Sequence, residues 1–221
     1  MALNTPAKIP LQQAKQDLYK SHILDVAEAV FAHSGYEGTA VKTVAAEARI
    51  SLSTLYSHFA NKSALYRGVH ARRLKVLMGR LKEVGRTEPL QQILAAMEIY
   101  IAFHMEHPNY LLMHLREGNA WSEETGLHSP EQRATWRAGI ETMAKTFRAG
   151  IRSGVFVKED PRLLARTTNA LHQVALSHWV ETGMKTPQKT VVRTLQGQFI
   201  RSFCRPEHLT RLLKAKGLSR K

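Results

Sequence analysis

Cysteine is nearly missing from this chain. Cys204 stands alone, so no intrachain disulfide can form, and a reducing compartment is the simpler expectation. Long apolar runs are missing too. No segment approaches the roughly 18 apolar residues of a membrane-crossing helix, and the N-terminal stretch MALNTPAKIPLQQAKQDLYK has no apolar core of the secretory-signal kind. A cytoplasmic protein is expected. Alternating apolar and polar stretches of the strand type are scarce, which argues against a sheet-based fold. Catalytic signatures are also absent: there is no G-x-S-x-G, no P-loop, no G-x-G-x-x-G and no H-E-x-x-H. Cys204, at a basic helix end, has no sequence case as a nucleophile. The expectation is therefore a protein that is not an enzyme and needs no cofactor.

Acidic residues are few beside basic ones, 18 against 32, for a net charge of +14. The excess sits at the two ends. Met1 to Lys82 carries +7, Glu83 to Ile200 only +1, and Arg201 to Lys221 +6. Clustered positive charge is the footprint of a polyanion partner, because neutralised phosphates release condensed counterions. A solvated basic surface gives the same composition, and a basic membrane-surface helix is a weaker rival.

With 221 residues, 43% of them hydrophobic, the chain can bury a real core, as one domain or as a small domain followed by a larger one. Amphipathic helices separated by Gly, Pro and Asx/Ser/Thr punctuation fill it, which makes it all-α. Residues 1–15 read as a flexible basic arm. A first helix is expected from about Leu11 to Ser34, with Ile23, Val26, Ala27, Val30 and Phe31 as its apolar stripe and Gly35 as a left-handed C-terminal residue. Thr39 is placed as N-cap of a short helix, Ala40 to Ala48, and Ser51 as N-cap of another, Leu52 to Phe59. Together these two form a helix-turn-helix within a DNA-binding head at 16–65. Asn61 caps a connecting helix over 61–84.

Residues 66–205 read as a second helical domain and 206–221 as a basic tail. Glu88-Pro89, Pro108, Ser129-Pro130, Asp160-Pro161 and Thr186-Pro187 mark successive helix starts. The last two long helices carry stripes that include Leu164, Leu171, Val174 and His178, then Val191, Leu195, Phe199 and Phe203. Such a pair can form half of a four-helix dimer bundle, and Leu171, Val174, His178, Leu195, Phe199 and Phe203 are the candidate interface. The same stripes could instead fill a monomeric core.

Phe31-x3-Gly35, Thr39, Val44-Ala45, Ala48-x-Ile50-Ser51, Thr54-Leu55-Tyr56-x-His58-Phe59 and Asn61-Lys62-x2-Leu65 follow one another without gaps. This run, about Ile23 to Val69, resembles the TetR family of bacterial transcription regulators. Two positions depart from the usual pattern: Arg49 stands where the family usually has Gly, and Ser53 where Gly is frequent.

The resemblance implies a sequence-specific DNA-binding regulator, a repressor released by a small-molecule effector and acting as a homodimer on a near-palindromic double-stranded operator. It assigns phosphate contacts to Thr39, Tyr56, His58 and Lys62, with His58 also readable as a structural histidine. A helix over Leu52–Phe59 buries Leu55 and Phe59 at i, i+4. That turns Ser53, Thr54 and Ser57 outward, where small hydroxyls can reach major-groove donors or acceptors. Ser51 opens that helix, and Lys42 and Arg49 are further backbone candidates on charge alone.

The resemblance also implies an effector pocket in the second domain. Met97, Tyr100, Phe103, His104, Met113, Trp121, Trp136, Met143, Phe147 and His172 are its candidate lining, with His114 and Trp179 among the same polarisable groups. They would suit an aromatic or greasy ligand with one polar handle. His104 and His107, at i, i+3, could share a metal with His114, but the spacing is common by chance and no metal site is assigned. Two other functions fit parts of the pattern: a small-molecule-binding helical enzyme and a nonspecific architectural DNA-binding protein.

Overall fold

The computed structural model describes residues 10–85, 87–116, 128–215 and 217. These form ten helices, with no β-strand among the described residues. The chain divides into two compact units, at residues 1–70 and 71–221.

The first unit contains α1 (Leu11–Gly38), α2 (Val41–Glu47), α3 (Leu52–His58) and the opening turns of α4 (Lys62–Lys82). Residues 11–15, expected within a flexible arm, belong to α1, and residues 1–9 of that arm lie outside the described residues. The chain does turn at Gly35, where φ is 70° and ψ 173°, and helical hydrogen bonding resumes to Gly38. The break lets Tyr36 fold back, so that its ring meets Tyr66 at 5.0 Å while Tyr66 meets Phe31 edge-on at 4.8 Å.

The core of the unit is the expected stripe and its partners. Ile23, Leu24, Ala27 and Phe31 of α1 are buried with Val44 and Ala45 of α2, Leu55 of α3, and Leu65 and Val69 of α4. Val26 and Val30 lie at the margin, half-buried.

The turn between α2 and α3 is a Schellman motif. The Ile50 N–H donates to the Ala45 carbonyl and the Arg49 N–H to the Ala46 carbonyl, both at 3.0 Å. Its fifth residue must be left-handed, and Arg49 is, at φ 55°. Ser51 then caps α3, its hydroxyl oxygen accepting from the Thr54 N–H at 3.0 Å. His22 of α1 braces the motif by donating Nε2–H to the Ala48 carbonyl at 3.1 Å. Asn61 caps α4 through the Ala64 N–H at 2.8 Å.

Thr39 corrects the sequence reading. It is buried, and its hydroxyl donates to the Gly35 carbonyl at 2.7 Å rather than capping α2. The N-cap residue of α2 is Ala40, with no side-chain cap.

The second unit holds α5 (Pro89–Glu106), α6 (Pro108–Arg116), α7 (Pro130–Arg152), α8 (Pro161–Glu181), α9 (Gln188–Phe203) and α10 (Pro206–Ala215). Proline opens five of these six helices. Ser129 and Gln132 form a capping box on α7, and Asp160 caps α8 through the Arg162 N–H. At α9 Pro187 is the N-cap residue rather than the first helical one. Gly154 and Gly183, at φ 80° and 79°, lie just beyond the ends of α7 and α8.

Helix α5 packs against α7, α8 and α9. After α7 the chain doubles back so that Phe156 bridges to Cys204, with the Val157 N–H on the Phe203 carbonyl at 2.9 Å. This reversal drives Phe156 into a cluster with Phe147, at 4.9 Å, and Phe199, at 6.0 Å.

The α9 half of the expected dimer stripe is therefore corrected. Leu195, Phe199 and Phe203 are buried inside the protomer, because an apolar stripe does not say which neighbour it faces. On α8 the outcome is mixed: Val174 and His178 are exposed and Leu171 is half-buried.

Candidate nucleic-acid interface and buried aromatic site

In α3, Leu55 and Phe59 point inward and are buried, which fixes the rotation of the helix. Ser53, Tyr56 and Ser57 are consequently exposed, and Thr54 is half-exposed. Tyr56 keeps 46% of its surface free, presenting a phenol donor on a rigid stem.

The hydroxyls form a local array. Ser51 Oγ lies 2.8 Å from Ser53 Oγ and 2.7 Å from Thr54 Oγ1, and the Ser57 hydroxyl donates to the Thr54 carbonyl at 2.8 Å. The oxygen of Ser51 is thus committed to the cap, and it positions its neighbours more than it offers itself. Leu52, 41% exposed, also lies on the outer surface. Sequence reasoning missed it, because its place three residues before the buried Leu55 points to the inner face of the helix. Lys42 of α2 and Arg49 of the turn before α3 are exposed, while His58 is half-buried.

Two residues expected at phosphates are occupied elsewhere. The buried Thr39 uses its hydroxyl on Gly35. Lys62 donates through Nζ to the Thr39 carbonyl at 3.1 Å and to the Glu37 carbonyl at 3.4 Å, and it sits 4.5 Å from the centre of the Tyr36 ring. Lys62 is therefore a staple that ties the segment after the Gly35 break to α4. Its three donors explain the choice of lysine: two meet carbonyls, and the ammonium lies over an aromatic face.

The second unit holds a buried cluster of rings. The Tyr100 ring lies 4.7 Å from His172 at 22°, and 4.3 Å from His104. His104 is 5.9 Å from Tyr110 and 5.8 Å from His114. His107 lies tilted against Phe103, with ring centres 4.7 Å apart. His104 and His172 are both buried, and desolvation drives each imidazole down to about 3. His114, His172 and His107 disfavour a charge on His104 further. The same burial pushes the Tyr100 phenol well above its usual range.

Several candidate pocket residues lie in this unit without joining the cluster. Phe147 is corrected: it belongs to the phenylalanine core with Phe156, Phe199 and Phe203. Trp179 pins the α8–α9 turn, its indole donating to the Thr186 carbonyl at 3.0 Å. Met97 and Met113 are buried, Trp136 and Met143 half-buried, and Trp121 lies outside the described residues. Among the described residues no three His, Cys, Asp or Glu side chains come together to hold a metal.

Comparison with known proteins bears on both units. Residues 23–69 match the family model described as bacterial regulatory proteins, tetR family. No curated protein matches the chain.

Among solved structures, the ketosteroid transcriptional regulator KstR2 of Mycobacterium tuberculosis superimposes with a TM-score of 0.72 at 18% identity, covering 84% of this chain and 95% of that one. A TetR-like transcriptional regulator from Rhodococcus sp. RHA1 gives 0.69 at 18% identity, covering 88% and 97%. AibR, solved in complex with isovaleryl coenzyme A and operator DNA, gives 0.69 at 18% identity, covering 81% and 97%. The likeness extends the shared fold well beyond the matched head.

Proposed function

We propose that this chain, whose residues 23–69 match the tetR family of bacterial regulatory proteins, is a TetR-type sequence-specific DNA-binding transcription regulator, a repressor released by a small-molecule effector. The observation that carries the reading is the rotation of α3. Leu55 and Phe59 anchor it, Ser53, Thr54, Tyr56 and Ser57 face outward, and Lys42 and Arg49 are exposed in the same unit. A helix of this size fits the major groove. In this reading Thr54 and Ser57 meet base edges, and the Thr54 methyl can touch a thymine methyl. Tyr56, His58, Lys42 and Arg49 contact phosphates, which position the head without specifying sequence. Thr39 and Lys62 hold the segment that presents it.

Two heads on one operator require a dimer. The outer face of α8 supplies the natural surface: Leu163 and Val174 are 56% and 66% exposed, with Leu171 half-buried between them. Half-sites would then lie about 34–36 Å apart, or at a related spacing.

The effector acts by shifting a population between DNA-competent and DNA-incompetent arrangements. Helix α4, whose residues belong to both units, is the element through which such a shift would pass. That AibR was solved with both a coenzyme A ester and operator DNA supports a ligand-responsive reading. The protein works in the cytoplasm, as a regulator and not as a catalyst.

Footprinting tests the proposal. A discrete protected near-palindrome is expected, together with binding that weakens by about 0.9 in log–log slope for each phosphate contact. Smeared protection, or affinity indifferent to salt, would overturn it.

A further inference from the structure

Buried polar atoms in folded proteins almost always have partners, and an unmet one is destabilising. On α8, His172 breaks this rule twice. It is only 2% exposed, and among the described residues neither Nδ1 nor Nε2 has a hydrogen-bond partner. The ring is held, not loose, since it lies against the Tyr100 ring at 4.7 Å.

Tyr100 also contacts His104, whose Nδ1 is 2.9 Å from the Tyr100 carbonyl. A carbonyl only accepts, so this nitrogen carries the hydrogen and His104 is tied to its own helix backbone, which sets it apart from His172. Among the described residues His172 thus brings one unmet N–H and one unmet lone pair to a cluster that holds the faces of Tyr100, Phe103 and Tyr110.

The chemistry of the missing partner follows. Burial keeps both imidazoles neutral, so they cannot serve as the cation that a buried anion would demand. Aromatic faces favour flat apolar skeletons. A hydroxyl can meet either nitrogen of His172, donating to its lone pair or accepting from its N–H; a ketone can only accept.

We infer that His172 is the polar handle of the effector site, and that the effector is an uncharged, planar, largely apolar molecule whose hydroxyl bonds to the His172 ring. The inference rests on the ligand-responsive reading above and names the ligand class for that site. An ordered water would meet the same nitrogens but would select nothing among ligands.

The test uses the full chain and four probes of one skeleton: naphthalene, 1-naphthol, 1-acetonaphthone and 1-naphthoate. Calorimetry measures binding, and 15N-resolved histidine spectra follow the rings. The expected result is 1-naphthol binding at least tenfold tighter than naphthalene, 1-acetonaphthone in between, 1-naphthoate no tighter than naphthalene, and the His172 nitrogens shifting on naphthol addition.

H172F should erase the naphthol preference while keeping naphthalene binding. H172Q, which retains a donor and an acceptor, should keep part of the preference and guards against a folding defect in H172F. Binding led by 1-naphthoate, equal binding of naphthol and naphthalene, a preference that survives H172F, or no binding by any probe would each overturn the inference. DNA is absent from this experiment, so its failure leaves the footprint intact, and a failed footprint leaves probe binding intact.

Discussion

Arg49 separates a backbone cost from an electrostatic role. It occupies the left-handed position of the α2–α3 turn at φ 55°, where a residue with a Cβ is strained by about 1–2 kcal/mol. Glycine would relieve that strain but gives up about 0.5–1 kcal/mol through its freer unfolded chain. Alanine removes the charge and keeps the Cβ. R49G should therefore exceed R49A in stability by about 0.5–1 kcal/mol, the strain relieved less the freedom lost.

The two turn hydrogen bonds, Arg49 N–H to Ala46 and Ile50 N–H to Ala45, are backbone bonds and survive both changes. The difference should be read where it arises, by hydrogen exchange at the Ala48 and Ile50 amides, as roughly two- to fivefold greater protection in R49G. Both variants lose the same charge. If Arg49 meets a phosphate, both should lower the salt slope of DNA binding by about 0.9. Equal protection in R49G and R49A would refute the strain argument, whatever the DNA result.

Further outcomes follow from other sites. G150A should destabilise the second unit by about 1–3 kcal/mol, seen as a lowered denaturant midpoint, because a Cβ there would overlap Cδ2 and Cε2 of the fully buried Phe156. Stability should fall as pH drops from about 6.5 toward 5. In that window unfolded histidines take up protons that His104 and His172, lowered to about 3, refuse when folded; the slope approaches about 1.4 kcal/mol per pH unit for each group, and H172F should remove one share. V174D places a charge on the exposed α8 face and should shift sedimentation toward monomer with weaker operator binding. Burial pushes the Cys204 thiol up to about 12, so it should resist alkylation at pH 8 until the chain is unfolded.

Much of the fold could be read from local chemistry. Proline after Ser129 or Asp160 marks helix starts because its fixed φ and missing N–H suit the first turn. Gly35, Gly154 and Gly183 mark turns because positive φ excludes most side chains. The i, i+4 pair Leu55 and Phe59 was enough to set the outward face of α3.

What escaped reading depends on distant parts of the chain meeting. The Thr39 hydroxyl looked like a cap until the Gly35 break put a carbonyl 2.7 Å away. Lys62 looked like a free cation until the same segment offered it two carbonyls and a ring. The apolar stripe of α9 was visible, but its partner, the reversal that carries Phe156 back to Cys204, left no local signal. His172 was legible as one candidate lining residue among ten, but nothing local set it above the others, since an unmet nitrogen is a property of its surroundings.

Selection of binding sites from a pool of random duplex DNA, run in parallel on the native chain and on a variant with Ser53, Thr54 and Ser57 all replaced by Ala, tests the base-reading role of α3 most directly. The native chain should enrich a motif with two-fold symmetry, and the variant should lose or change that motif while still binding DNA with strong salt dependence. Recovery of the same motif by both proteins, or of none by the native chain, would contradict the account.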